Sequence, residues 1–176
     1  MIFLFAIGII ITLIMGIYIY QTYNQIIYFL EEVVKNASNL EAVLKRKYDM
    51  IPSLIEIVKG YAKHESSTFT EVTKLRSQWG KSKDLDKKIK TANQLESFLS
   101  KLLVIKENYP DLKANRTFKT IMNNIYTMEE EILDQRKKYN EVVKMYNLKV
   151  KIFPTNIVAK IFGFMEKTYF SVNVKE

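Results

Sequence analysis

Cysteine is absent from this 176-residue chain, and histidine and tryptophan each occur once. Without thiols there is no disulfide framework, no cysteine zinc site and no thiol nucleophile. A single histidine also removes the di-metal carboxylate bundle, which needs two Glu-x-x-His pairs and two further glutamates. That histidine, His64, stands beside Glu65. Neighbouring helical residues project about 100° apart, so a surface or packing role for His64 is favoured over a shared acid/base site. No glycine-rich phosphate loop, Walker pattern or serine-nucleophile elbow occurs. These absences imply no catalytic residues, no bound cofactor and no metal.

Turn-forming residues are scarce as well: five glycines and three prolines, well below the usual share of about 7% and 5%. Sandwiches and barrels need frequent turns, so the expectation is an all-α protein with long helices. Charge is missing from one end only. Residues 1–30 contain no Asp, Glu, Lys or Arg, and the mean hydropathy of −0.10 averages two different solvents. The net charge of +8 arises from lysines scattered among Glu and Asp. That pattern points away from nucleic acid, which favours a massed basic stripe.

The opening run MIFLFAIGIIITLIMGIYIY is long enough to cross a hydrocarbon core of about 30 Å as a helix. It lacks the basic start and small-residue cleavage site of a secretory signal, so a retained anchor over residues 1–22 is expected. Tyr18, Tyr20 and Tyr23 suit the aromatic belt at a bilayer boundary. Lys35, Lys45, Arg46 and Lys47 follow on the C-terminal side, although Glu31 and Glu32 precede them. The positive-inside rule then puts the soluble part in the cytoplasm of a single-pass protein.

Beyond the anchor, one heptad row reads Tyr23, Leu30, Ala37, Leu44, Ile51, Val58, Val72 and Trp79, interrupted by Glu65. Its companion reads Ile26, Val33, Leu40, Leu54, Tyr61 and Leu75, with Lys47 and Thr68 as exceptions. The register passes through Pro52 unbroken, which suits one kinked helix; Asp49 capping a new helix with Pro52 in its first turn suits it equally. Gly80 and KSKDLDKK read as a helix end and a solvated connection. A further helix carries Leu85, Ile89, Ala92, Leu99, Leu102 and Leu103 and must stop before Pro110, where Tyr109–Asp111 make a corner. The last long helix shows Phe118, Ile125, Ile132, Tyr139 and Tyr146 alternating with Ile121, Met128 and Val142, with Gln135 and Lys149 as polar exceptions. Short corners between helices predict an antiparallel up-and-down bundle of about four helices over residues 23–152.

Pro154 closes the last long helix. Residues 153–176 then form an amphipathic segment in which Ile157, Val158, Ile161 and Phe162 can share a face. With Phe153, Lys160 and Phe164 it is the strongest candidate for contact with a partner or with lipid, but a hydrophobic cap over the open end of the bundle is favoured over lipid contact. Glu129–Glu131 and Arg136 read as a solvated face. Glu129 nevertheless adjoins Met128 and Arg136 adjoins Gln135, so an inter-helix ion pair that fixes register is the competing reading.

Four blocks carry a family resemblance: LKRKYDMIPSLIEIVKGYAKHE at 44–65, ENYPDLKANRTF at 107–118, EEILDQRKKYNEVVKMYN at 130–147, and FPTNIVAKIFGFMEKTYF at 153–170. In order and spacing they resemble the LemA family of bacterial single-pass membrane proteins. The resemblance implies a cytoplasmic helical bundle, two helices rather than one at Pro52, and no enzymatic activity. One branch of that family is associated with magnetosome membranes. The chain departs from the family between Trp79 and Gln94, where it is Lys-rich. Asp49, Pro52, Lys59, Gly60, Glu107, Pro110, Lys113, Arg136, Tyr139 and Asn140 are motif positions without an assigned role, and corners or close crossings account for them without a ligand. The resulting expectation is a non-enzymatic scaffold or adaptor at the bacterial cell membrane, meeting lipid through its first helix and offering its bundle to another membrane or cytoplasmic protein. The pattern also permits a homo-oligomer. The rival reading is a peripheral module that organises anionic lipid through its basic surface and aromatic tail.

Overall fold

The structure, a computed structural model, describes residues 1–62 and 66–170. His64, Glu65 and the side chains of Leu85, Leu102 and Leu103 therefore lie outside the described residues. Among the described residues seven helices run in order: α1 (Ile2–Asp49), α2 (Ile51–Tyr61), α3 (Ser66–Lys81), α4 (Leu85–Asn108), α5 (Pro110–Ala114), α6 (Arg116–Lys151) and α7 (Thr155–Ile161). No strand occurs among them. The chain forms two compact units, Met1–Asn36 with Lys138–Tyr169 and Ala37–Lys137 with Phe170.

The unit of residues 37–137 is a helical bundle. Glu41 of α1 pairs with Lys88 of α4, and Lys47 with Glu96, so α1 and α4 run parallel. Arg46 pairs with Glu131 and Lys47 with Glu129, so α6 runs antiparallel to α1. Helix α3 is antiparallel too: Tyr48 meets Trp79 edge-on at 5.0 Å, whereas Lys59 shares a cleft with Phe69 and Thr70. The core gathers Leu44, Ile51, Leu54, Val58, Phe69, Val72, Ile89, Leu95, Leu99, Phe118, Ile125 and Ile132. Each such side chain contributes roughly 1.5–3 kcal/mol on burial.

Two differences from the sequence expectation stand out. The rows from Tyr23 to Trp79 read as one continuous stripe, yet α2 ends at Tyr61 and α3 opens at Ser66, running back. A stripe specifies which face is buried; it is indifferent to a reversal when both arms bury the same face. The corner at 109–111 also extends into a turn of helix, α5, with Leu112 buried. Asn115 closes that corner. Its Oδ1 accepts the Phe118 amide at 2.9 Å as an N-cap for α6, and its Nδ2 donates to the Tyr61 hydroxyl at 3.1 Å.

In the other unit, an 18-residue window of α1 has a mean hydropathy of 2.8 and none of it is buried. By length and composition this segment can cross a membrane. Further along α1, Thr22, Ile26 and Val33 are buried, as are Tyr139, Val143, Tyr146 and Asn147 of α6. Lys149 donates to Gln25 Oε1 at 2.9 Å. At the end of α6, the Thr155 hydroxyl shares its one proton between the carbonyls of Lys149 and Ile152, with Oγ1 2.7 and 2.8 Å from them, where the helix leaves acceptors open. Helix α7 stops in a Schellman turn: Phe164 N–H reaches Ala159 O at 2.9 Å, Gly163 N–H reaches Lys160 O, and Gly163 sits at φ +73°, a conformation that glycine alone adopts freely. The face expected on α7 is corrected in part. Val158 is buried together with Ala159, but Ile157, Ile161 and Phe162 are exposed.

Candidate functional site

The bundle's interior holds charge. On α6 the row that alternates with Phe118, Ile125 and Ile132 is Met122, Glu129, Arg136 and Val143, one residue on from the apolar row Ile121, Met128 and Val142. On α1, Lys47 occupies a true seam position and is 0% exposed. Helix α4 supplies Glu96, on the seam between Ala92 and Leu99. Lys47 Nζ donates to Glu96 Oε2 at 2.6 Å and to Glu129 Oε1 at 2.5 Å. Arg136 Nη2 lies 3.8 Å from Glu96 Oε1, and the Tyr48 hydroxyl donates to the same oxygen at 3.1 Å. Two cations therefore face two carboxylates, and charge in the interior is balanced. Arg136 also lays its guanidinium over the Phe170 ring at 4.6 Å.

Burial pushes the Tyr48 phenol well above its ordinary value, and the adjacent Glu96 carboxylate raises it further while Arg136 opposes. It stays a neutral donor. A cavity of about 70 Å³ borders the cluster, lined by Leu54, Glu96, Leu99, Ser100, Met122 and Glu129 among others; water fits a space of that size and polarity. The lysine amine is committed as a donor to two carboxylates, so it presents no free nucleophile. Among the described residues, no group of three metal-ligating side chains occurs.

The motif residues Asp49 and Pro52 belong to the junction of α1 and α2. Met50 interrupts the helix while keeping right-handed helical dihedrals (φ −83°, ψ −16°), and Pro52 lies in the first turn of α2. The helix cap is Met50 rather than Asp49, and it makes no side-chain cap bond. Asp49 instead pairs with Lys45 at 2.6 Å and Arg76 at 3.0 Å. The hydrogen bond from Lys45, chiefly, holds its carboxyl below the usual range. Lys59 and Gly60 are exposed, Lys59 on a cleft that Lys74 and Lys81 also line. At the second corner, Lys113 donates to Glu107 at 2.8 Å and lowers its carboxyl; Pro110 opens α5.

The third and fourth motif blocks meet. Beyond Gly163 the chain runs antiparallel along α6, and α6 side chains hold its backbone. Tyr146 donates to Met165 O at 3.0 Å and Tyr139 to Thr168 O at 2.8 Å. Asn147 clamps Lys167 both ways, donating Nδ2 to its carbonyl at 2.9 Å and accepting its amide on Oδ1 at 2.8 Å. Asn140 lies half-buried on the same helix. Of the tail candidates, Phe153, Ile157, Lys160, Ile161 and Phe162 are exposed, and Phe164 is half-buried against Tyr23 with ring centroids 5.7 Å apart. Sequence reasoning passed over Glu96 and Asn147 and read Tyr146 only as a member of the apolar row. Glu96 was detectable as the gap at a seam position between Ala92 and Leu99.

These features define an all-helical bundle that carries a membrane-length N-terminal helix and a tail strapped along its last long helix. The chain belongs to the LemA family, whose family model matches residues 36–176. It is 31% identical over 130 residues to "Protein LemA" of Metamycoplasma hominis, covering 72% of this chain and 59% of that protein. It is 23% identical over 174 residues to "Magnetosome protein MamQ 2" of Paramagnetospirillum magneticum and to "Magnetosome protein MamQ" of Magnetospirillum gryphiswaldense, covering 84% of this chain and 64% of each. The chain thus spans about three fifths of the length of these curated relatives.

Proposed function

We propose that this LemA-family protein is a membrane-anchored, non-enzymatic scaffold whose helical bundle stands on the cytoplasmic side and docks another protein. The observation that carries the reading is the engagement of the interior ionisable groups with one another: Lys47 bonds Glu96 and Glu129, and Glu96 also takes Tyr48. Such a cluster specifies helix register and commits the Lys47 amine to its two carboxylate partners. The outer face of α6, in contrast, exposes Tyr126 and Leu133, 47% and 52% accessible and one heptad apart, the spacing of an anchor pair for a partner helix.

The test is a photo-crosslinking residue in place of Leu133 in living cells, with adducts identified by mass spectrometry. A reproducible adduct to one cytoplasmic protein is expected. Adducts restricted to this chain, or to no protein, overturn the scaffold reading.

A further inference from the structure

Helix α7 carries its amphipathicity the wrong way round for a soluble cap. Its inward face is the small pair Val158 and Ala159, 2% and 1% exposed, while Ile157 and Ile161 face out at 51% and 68%. Phe153 and Met165 extend that surface at 74% and 77%. Scattered exposed apolar residues need no explanation, but a contiguous bulky surface on one short segment does.

Its place relative to the N-terminal helix indicates what covers it. Tyr23 of α1 packs on Phe162 and Phe164, with ring centroids 4.8 and 5.7 Å apart. Tyr23 lies three residues beyond Tyr20, where the apolar run ends, which is about 4.5 Å along a helix axis. The headgroup layer on each side of a bilayer is roughly 5–8 Å thick. When the apolar run fills the hydrocarbon, Phe162 and Phe164 therefore sit at headgroup depth, where aromatic rings concentrate. Cations accompany them: Lys149 is held by Gln25, two residues past Tyr23, and Lys160 is exposed on α7.

We propose that α7 and the bulky side chains around it form a second membrane contact, seated at the headgroup–acyl boundary of the leaflet through which α1 leaves the bilayer. The docked tail has a clear part in this. The bonds from Tyr139, Tyr146 and Asn147 pair the carbonyls of Met165 and Thr168 and both backbone groups of Lys167 from the α6 side, so these peptide groups need no water where the segment's apolar side chains face lipid. Insertion of this kind, about 5–10 Å into the boundary, is how interfacial helices bind. The proposal rests on the reading of the N-terminal segment as a membrane span, and the test separates the two.

The chain has no cysteine, so single cysteines can be placed in the full-length protein at Ile161, at Met165, at Ile10 in the apolar run, and at Lys90 on the exposed face of α4. Each is labelled with an environment-sensitive fluorophore and reconstituted in vesicles of phosphatidylcholine and phosphatidylglycerol. Quenching by lipids spin-labelled near the headgroup is then compared with quenching by aqueous iodide. The expected result is several-fold stronger lipid quenching at Ile161 and Met165 than at Lys90. Iodide quenching at Ile161 and Met165 equal to that at Lys90 overturns the proposal. Shielding from both quenchers overturns it too, and assigns the surface to a second copy of the chain. A label at Ile10 that lipid fails to quench overturns the anchor reading itself, and the proposal with it.

Discussion

Arg76 Nε donates to the Tyr48 carbonyl oxygen at 3.0 Å, the acceptor that Pro52 deprives of its helical donor. A proline has no N–H to give to the carbonyl four residues earlier, and a half-buried carbonyl without a partner is costly. The guanidinium of α3 supplies the missing donor and reaches Asp49 with its other arm. The junction of α1 and α2 is thereby tied to the returning helix, and the proline at 52 becomes tolerable.

Arg76→Ala is therefore expected to cost about 1–2 kcal/mol, the range for a charge-assisted hydrogen bond partly exposed to solvent. The cost should shrink in a Pro52→Ala background, where the amide that the substitution introduces restores the helical donor. Thermal unfolding of the full chain in detergent, arranged as a double-mutant cycle, checks this. Equal costs in the two backgrounds would refute the coupling.

Lys47→Met leaves Glu96 and Glu129 facing each other without their shared cation. Removing one partner of a buried pair typically costs about 3–5 kcal/mol, so Lys47→Met should lower the unfolding midpoint more than any single substitution of an exposed lysine. Adding Glu129→Gln to Lys47→Met should recover a large part of the loss, because Glu96 then remains opposite Arg136 and the interior charges balance again. Denaturant titration followed by circular dichroism measures both.

Tyr48 gives a signed prediction for pH. Its folded pKa is raised, first by burial and then by Glu96, so its contribution to stability is fully present below the ordinary tyrosine value of about 10 and is lost as pH rises toward the folded value. Wild type should consequently lose more stability than Tyr48→Phe between neutral and strongly alkaline conditions. Melting curves of both proteins across that range decide it; parallel losses would count against the prediction.

Asn147 imitates a strand partner for Lys167, with one donor and one acceptor, and its removal should release the tail. In hydrogen exchange followed by mass spectrometry, peptides covering Lys167 should exchange about tenfold faster in Asn147→Ala, since local opening sets the exchange rate. Asn147→Asp keeps the acceptor for the Lys167 amide and loses the donor, so it should fall between. An unchanged exchange rate in Asn147→Ala would show that Tyr139 and Tyr146 suffice.

Much of the architecture was legible along the chain because it depends on local rules. The helix end before Pro110, the connection after Gly80 and the core row through Phe118, Ile125 and Ile132 follow from backbone chemistry and helical periodicity. The charged seam was legible only in part: the sequence offers an inter-helix ion pair at Glu129 and Arg136 as one of two readings and does not name the partners Lys47 and Glu96. Glu129 and Arg136 look like solvent residues, so the apolar row through Met128 was the natural companion, and the true row through Met122 and Val143 was hidden by its own ion pairs. A charge at a seam position makes physical sense only once its partner is known, and Glu96 lies 33 residues before Glu129 and 49 after Lys47.

Taken alone, the sequence determined the helical class, the membrane-length opening segment, the family blocks and the lack of thiol, histidine-pair and phosphate-loop chemistry, since each is a property of composition or of short-range spacing. Only the tertiary structure decided that the stripe from Tyr23 to Trp79 folds back after Tyr61, that Lys47 is solvated by carboxylates instead of water, and that the tail lies along α6 with Val158 inward and Ile161 outward. Those outcomes depend on groups distant in sequence meeting in space, where a buried charge or an open carbonyl must find a partner that periodicity cannot name.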